Sequence, residues 1–371
     1  PRASPGLLDA WPSERPISHT AYGSEPQQRY SRQHDRHGMT LSEVYELWLK
    51  AEPRSKDTEQ VYARTLGMAE KCLGTPIPLN RITRAHGNTL KAWLQNPDQG
   101  LSPKTAKNYF TSLQALLNFA RLEIEVIPHN PWQGLSIKVP KTITRRPWKD
   151  EELQTLFSQP LFQSYALPHA GRAGGGAAAY WIPLLGLYTG ARIGELAQLR
   201  VQDITLENGI PVIQITDADE GQRLKTSASR RCIPIHPELI SLGLLDYVKD
   251  IQVAPYNLAS RAPHGSLWPQ LNASAAQQGN LISSWFSRYR KSVGLTGTYP
   301  DFHCLRHTVR TKMAHAKVSE HVMDAITGHE TGGSTGRKVY QHLQMEDLTT
   351  AIQSIAYSAI TFPRAYRVEG L

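Results

Sequence analysis

The stretch YTGARIGELAQLRVQDI, residues 188–204, joins two predicted helices and organises the second half of the chain. Its Thr-Gly pair ends an apolar helix, and Arg192 opens the next helix. Glu195 lies at i+3 on the same face as Arg192, while leucines at i+4 and i+7 form a stripe that faces the core. Taken alone, this pair is typical of a surface ion pair, so its meaning depends on the rest of the chain.

A second motif is DFHCLRHTVRTKMAH, residues 301–315. His303 and Arg306 are separated by about 60 degrees around a predicted helix, so an imidazole and a guanidinium can reach one ligand. His307 faces elsewhere, and we expect it to pack or to position the helix. A zinc site is not expected, because HxxRH differs from HExxH and no carboxylate or cysteine lies at ligand spacing.

A third motif is ITGHETGGSTGRKVYQHL, residues 326–343. A helix is predicted to end at Gly328 and to present His329, and a glycine-rich loop then leads to Tyr340. A tyrosine on an amphipathic helix usually packs in a core. Tyr340 follows the Gly-His pair, and the meaning of this placement comes from the family resemblance described below. Tyr357 is the alternative candidate for a reactive tyrosine.

Between these motifs, the sequence predicts a three-stranded antiparallel meander. Its strands are PVIQI at 211–215, QRLKT at 222–226 and RRCIPI at 230–235. Lys225 lies in the second predicted strand, where a lysine is ordinarily a solvated charge.

Together, these segments supply in chain order the residue types that phosphodiester chemistry needs: Arg192, Lys225, His303, Arg306, His329 and Tyr340. Two arginines can offset the charge of a pentacovalent transition state without a metal. A tyrosine, with an ordinary pKa of about 10, needs a nearby cation or base in order to attack. The product would be a 3′-phosphotyrosine. Because one phosphoester replaces another, we expect neither a metal nor a nucleotide cofactor.

This order of residues resembles the tyrosine recombinase (phage integrase) family, with motifs over residues 148–357 and a looser likeness over 39–140. The resemblance implies a mainly α fold with a small antiparallel β-sheet, comprising a helical core-binding domain and a mixed α+β catalytic domain. It makes the six residues above catalytic, with Tyr340 as nucleophile and Glu195 as the carboxylate that orients Arg192. It also implies that Lys225 protonates the departing 5′ oxygen.

The predicted domains follow from this resemblance and from local composition. They are a poorly structured lead-in or remnant of an upstream domain (1–38), a helical DNA-binding domain (39–140), a linker (141–147), the catalytic domain (148–357) and a C-terminal tail (358–371). The resemblance implies that the segment from Asp347 onward docks on a neighbouring subunit, although its apolar residues equally suit packing on their own domain.

Four or five helices are predicted in the first domain, with starts near Thr40 or Ser42, after Ser55, at Asn88 and at Ser102. Its basic residues are either ordinary solvated charges or a clamp for the DNA backbone: Arg81, Arg84, Lys91, Lys104, Lys107 and Arg121.

Composition agrees with a partner that is a polyanion. The chain of 371 residues carries a formal charge of +9 and has a pI near 9.4, which favours nucleic acid without establishing it. Three widely spaced cysteines and the lack of a signal-peptide or membrane-span pattern predict a cytoplasmic protein. A chain that begins at Pro1 is expected to be a fragment or a processed form.

The resemblance implies a recombinase that acts on double-stranded DNA sites as a homo-tetramer through a Holliday junction, for integration or excision of a mobile element. Accessory DNA-bending proteins are further partners that it leaves open. Two other readings remain, a type IB topoisomerase-like enzyme that relaxes DNA and a helical module that binds DNA without catalysis.

Overall fold

A computed structural model of the protein describes two compact units that divide between residues 143 and 144. The described residues are 38–74, 76–140, 145–169, 175–219, 221–224, 226, 229–253, 265–271, 275–297, 300–329 and 343–366. The predicted lead-in up to residue 37, four of the seven linker residues, Lys225, Tyr340 and the last five residues lie outside this set.

The described part of the first unit contains four α-helices: α1 (Leu41–Ala51), α2 (Lys56–Leu73), α3 (Arg84–Gln95) and α4 (Pro103–Leu122). They confirm the predicted helices, except that α3 begins at Arg84 rather than at Asn88. Helix α1 starts with a capping box between Thr40 and Glu43, which satisfies backbone donors at its first turn. At the starts of α2 and α4, the Ser55 and Ser102 side chains accept from the backbone amides of Thr58 and Thr105.

Trp132 closes the core of this first unit. Its ring is fully buried against Phe110, and its indole nitrogen donates to the Thr83 carbonyl at 3.1 Å. Gly87, inside α3, is required by this contact, because a Cβ there would lie 2.6 Å from the ring.

The described helices of the second unit include one that is buried along its whole length. They are α5 (Asp150–Phe157), α6 (Pro160–Gln163), α7 (Ala177–Thr189), α8 (Ile193–Ala197), α9 (Pro237–Ser241), α10 (Leu244–Val253), α11 (Ala275–Ser292), α12 (His303–His315), α13 (Glu320–Thr327) and α14 (Met345–Gln353). All thirteen residues of α7 are buried. No helix in the described part of the chain combines the length and apolar character needed to cross a membrane.

The small antiparallel sheet is present, and the predicted strands at 211–215 and 230–235 are confirmed, but the third predicted strand is wrong and another strand takes its place. It consists of β1 (Ile204–Glu207), β2 (Ile210–Ile215) and β3 (Arg231–Pro234) in the order β1-β2-β3. Strand β1 was not predicted, although Asn208 and Gly209, both with positive φ, form the kind of two-residue turn that joins hairpin strands.

The prediction of a strand at 222–226 is wrong for the residues described there, because this segment belongs to the connection between β2 and β3. Hydrogen bonds that involve side chains, rather than a ladder of backbone bonds, hold this segment in place. Gln222 donates to Asp203 at 2.8 Å, and the Arg223 amide donates to the side chain of Gln198 at 2.9 Å. Lys225 itself lies outside the described residues.

The described chain from α14 onward packs on its own unit. Leu348, Ile352 and Ile355 are buried in the second unit's core. Phe362 packs edge-on against Phe157, and the Tyr366 hydroxyl bonds to the Asp250 carboxylate. Of the two packings left open by the sequence, the structure shows packing on the same domain as far as residue 366.

Candidate active site

Arg192 is held at the N-cap of α8 by bonds from three different segments. Its Nη1 donates to Glu195 at 2.6 Å and to the Ser229 hydroxyl at 3.3 Å. Its Nη2 donates to the Gly328 carbonyl at 2.9 Å. The predicted contact between Arg192 and Glu195 is present. In addition, Arg192 links the start of α8 to the end of α13, because Gly328 lies 136 residues further along the chain.

Glu195 is buried, with only 5% of its side chain exposed. Burial alone would raise the pKa of its carboxyl, but the charges and hydrogen bonds of Arg231 and Arg192 outweigh it and lower the pKa below its ordinary value. The carboxylate is therefore charged at neutral pH and holds two guanidiniums.

Arg231 is the second arginine that Glu195 holds. The sequence shows it only as a basic residue in a predicted strand and gives no sign of this contact. Its side chain is 6% exposed and donates to Glu195 at 2.7 Å, to the Ile326 carbonyl at 2.7 Å and to the Ser229 carbonyl at 2.8 Å. Gly328 lies against it, since a Cβ at that position would be 2.7 Å from the guanidinium. Gly328 also has φ +68°, which favours glycine.

Arg306 lies at the centre of the site and is almost fully buried. It donates to the Gly190 carbonyl at 3.0 Å and contacts His329 Nδ1 at 3.0 Å. Among the described residues it has no carboxylate partner, and its Nε is buried without an acceptor. Burial and the charges of Arg192 and Arg231 lower the pKa of Arg306 to about 9, so the group is charged at neutral pH.

His329 follows the αL residue Gly328 directly, as predicted. Its Nδ1 lies 3.0 Å from Arg306 and 3.1 Å from Arg310. Burial and these two guanidiniums lower its pKa to about 4. At neutral pH the ring is uncharged.

His303 is the first residue of α12, where the helix dipole disfavours a cation. Burial and the positive charges of Arg145, His307 and Arg306 lower the pKa of His303 to about 4. His307 packs edge-on against the His303 ring, with centroids 5.4 Å apart. The expectation that His307 faces elsewhere is therefore wrong, since its ring lies on the same side of α12 as His303 and packs against it.

Tyr357, the alternative reactive tyrosine, is excluded by its surroundings. Its hydroxyl donates to the Leu187 carbonyl at 2.7 Å inside the core, and burial raises the pKa of Tyr357 well above its ordinary value. Lys225 and Tyr340 lie outside the described residues, so their positions stay predictions.

The described part of the site carries more positive than negative charge. Four guanidiniums (Arg192, Arg231, Arg306 and Arg310) meet two carboxylates, those of Glu195 and Asp324. The guanidinium N–H groups of such a centre can donate several hydrogen bonds to one anion. A phosphodiester, which is negatively charged and carries two nonbridging acceptor oxygens, is an anion of this kind. Within the described segments, no group of three or more His, Cys, Asp or Glu side chains is arranged to hold a metal ion.

Two family models match the chain, one within each of its two units. The Phage integrase SAM-like domain matches residues 40–139, and the Phage integrase family matches residues 176–347. The chain therefore belongs to the tyrosine recombinase (phage integrase) family.

Relatives and solved structures agree with this placement. A tyrosine recombinase XerC-like protein of Caldanaerobacter subterraneus subsp. tengcongensis is 27% identical over 280 residues, which are 69% of this chain and 67% of the relative. The Tn1549 transposon integrase (residues 82–397), solved with circular intermediate DNA, is 21% identical over 84% of this chain and 98% of that one, with a TM-score of 0.58. The lambda integrase (residues 75–356) dimer, bound to a COC′ core site, is 18% identical over 83% of this chain and 100% of that one, with a TM-score of 0.54.

Proposed function

We propose that this protein is a site-specific DNA recombinase that cleaves and rejoins DNA strands through a 3′-phosphotyrosine intermediate. The observation that carries the proposal is the cationic centre described above, where Arg192, Arg306 and His329 converge from three elements. Arg306 is a buried guanidinium with no carboxylate partner among the described residues. A buried charge without a counter-ion is costly, and the phosphate of a scissile DNA strand would supply that counter-ion.

The two arginines have different freedom to act on such a phosphate. Arg192 is anchored by Glu195 through one nitrogen and by Gly328 through another, which orients the guanidinium while 29% of the side chain stays exposed. Arg306 is nearly inaccessible and is fixed by a carbonyl and an imidazole. Donors fixed in advance of the reaction stabilise developing charge without reorganisation.

The chemical step is proposed to follow from these positions. The Tyr340 oxygen attacks the phosphorus, forming a phosphotyrosine bond as the bond to the 5′ oxygen breaks. The tyrosine proton passes to neutral His303, and Lys225 gives a proton to the departing 5′ oxygen. Arg192, Arg306 and His329 hold the nonbridging oxygens. Attack by a 5′ hydroxyl of another strand reverses these transfers and completes rejoining.

Assembly and biological setting extend the same proposal. A solved lambda integrase tetramer bound to a Holliday junction is 18% identical over 88% of this chain, with a TM-score of 0.53. This likeness supports a homo-tetramer on DNA, with the helical first unit binding the core site. Neighbours from a transposon and a phage favour integration or excision of a mobile element. Accessory DNA-bending proteins and a cytoplasmic location remain part of the proposal.

A strand-transfer assay tests this function. Target sites are first recovered by binding selection from randomised duplex DNA, and two differently labelled copies are then incubated with the protein in chelator-containing buffer. The proposal predicts recombinant strands that carry both labels. Relaxation of supercoiled DNA without exchanged strands would instead indicate a topoisomerase, and tight binding without cleavage would indicate a binding module.

A further inference from the structure

We propose that Arg310 is a positioning residue that, held by Asp324, fixes His329 in the tautomer that donates through Nε2. The inference rests on the proposed function, since His329 is one of the proposed phosphate ligands. Arg310 lies one helical turn beyond Arg306 on α12 and therefore faces the same side. Nothing in the sequence motifs singled it out.

The contacts of Arg310 converge on the end of α13. Its Nη1 lies 2.6 Å from the Asp324 carboxylate, 2.9 Å from the Thr327 hydroxyl and 3.1 Å from His329 Nδ1. Asp324 is itself nearly buried, and its backbone carbonyl accepts from the Gly328 and His329 amides at 2.7 and 3.1 Å. One residue of α13 therefore holds both the arginine and the backbone that carries the imidazole.

The direction of these hydrogen bonds decides the tautomer of His329. A guanidinium has only donors, so the contacts from Arg306 and Arg310 require a lone pair on Nδ1. The Thr327 hydroxyl gives its proton to the Met323 carbonyl at 2.5 Å, so its oxygen, 3.0 Å from Nδ1, is an acceptor that would favour a proton there. The two charged guanidinium donors outweigh this single neutral acceptor. The ring proton is therefore on Nε2.

This arrangement gives His329 one chemical role at neutral pH. The charged groups that face it are Arg306 and Arg310 on α12, Asp324 on α13 and Arg192 at α8. Three cations against one carboxylate oppose an imidazolium, in agreement with the lowered pKa. The ring is left as a neutral donor through Nε2, suited to a phosphate oxygen and unsuited to storing a proton.

The test uses the whole 371-residue chain and two independent readouts. The first is the nitrogen NMR spectrum of His329 in free protein as a function of pH, which reports the tautomer and the protonation midpoint. Wild type is expected to carry its proton on Nε2 and to titrate near pH 4. In Arg310→Gln, the midpoint is expected to move up by about 1 pH unit. A wild-type proton on Nδ1, or an unchanged midpoint in the variant, would overturn the proposal.

The second readout is the rate of covalent adduct formation on nicked DNA in a double-mutant cycle. Arg310→Gln is expected to slow the adduct about tenfold, but to cause no further loss in a His329→Ala background. Additive losses would mean that Arg310 acts on DNA directly, which contradicts a role through His329.

The matched control is Lys312→Gln. Lys312 lies on the same helix with similar exposure, 25% against 23%, and pairs with Asp150 away from His329. It is expected to leave both the His329 titration and the adduct rate unchanged. If wild type forms no adduct, the proposed function fails, while the NMR readout in free protein still decides the link between Arg310 and His329. The tautomer of wild type tests the geometry even if the variants fold poorly.

Discussion

Glu195→Gln is the perturbation that separates an orienting network from an ordinary surface ion pair. The carboxylate accepts three bonds through two oxygens, from Arg192 Nη1 at 2.6 Å, from the Arg192 amide at 2.9 Å and from Arg231 at 2.7 Å. A glutamine offers one carbonyl oxygen and places an NH₂ donor where an acceptor is required. At least one of the three donors must therefore lose its partner.

The expected cost follows from the exposure of each group. Arg231 and Glu195 are 6% and 5% exposed, and removing one member of a buried pair typically costs about 3 to 5 kcal/mol. Arg231 keeps two backbone carbonyls as acceptors, and Arg192 is partly solvated, so the lower end applies. We expect the free energy of unfolding to fall by about 3 kcal/mol.

Glu152→Gln is the matched control, because Glu152 also caps a helix at N3 and accepts two bonds from an arginine. Its partner Arg146 is 38% exposed, so solvent screens the loss and the expected cost is about 1 kcal/mol. Urea unfolding followed by circular dichroism measures both values. Adduct formation, assayed where both variants are folded, should fall at least tenfold in Glu195→Gln only.

Equal stability losses in the two variants, with equal adduct rates, would refute the reasoning. That result would mean that Glu195 is an ordinary helix cap. A stability loss in Glu195→Gln without any loss of adduct would refute the orienting role alone.

Further predictions concern a glycine, a tyrosine and two histidines. Gly328→Ala should lower the free energy of unfolding in urea by about 2 kcal/mol, and Gly209→Ala should lower it by less. Both glycines have positive φ, but of the two only Gly328 has a neighbour within 4 Å of an added Cβ, the Arg231 guanidinium. Equal losses would contradict a role for that contact. Tyr357→Phe should lose about 1 kcal/mol yet keep the covalent adduct on denaturing gels, whereas loss of the adduct would restore Tyr357 as a candidate nucleophile. Because the pKa values of His303 and His329 lie near 4 rather than 6.5, the unfolded chain binds more protons between those values, so stability should fall as pH drops from 6.5 to 4. Replacing both histidines with Gln should flatten that slope in a pH series of unfolding curves, and an unchanged slope would contradict the lowered pKa values.

The local elements were the most predictable part of the fold. Capping residues and apolar periodicity located the starts of α1, α2 and α4, because Thr40, Ser55 and Ser102 satisfy backbone donors within the same few residues. The sheet was less predictable. The Asn-Gly turn after β1 was a readable hairpin signal that was missed, whereas the polar segment at 222–226 is held by side chains distant in sequence.

The site was predictable in composition but not in its supporting network. Motif spacing brought out Arg192, Glu195, Arg306 and His329. In the structure Arg192 bonds to Glu195 and to the Gly328 carbonyl, and His329 contacts Arg306. The contacts of Arg231 depend on packing between a strand and the end of a helix 95 residues away. No periodicity within one segment reports such a contact. The Tyr340 and Lys225 assignments stay predictions.

The most direct test of the central claim is to trap the protein on a nicked DNA substrate in chelator-containing buffer and to map the linked peptide. The account predicts a DNA-protein adduct that survives denaturation, is attached at Tyr340 and disappears in Tyr340→Phe, while DNA binding remains. An adduct at another residue, or one that persists in Tyr340→Phe, would contradict the assigned nucleophile. Tight, specific binding without any adduct would contradict the covalent mechanism itself.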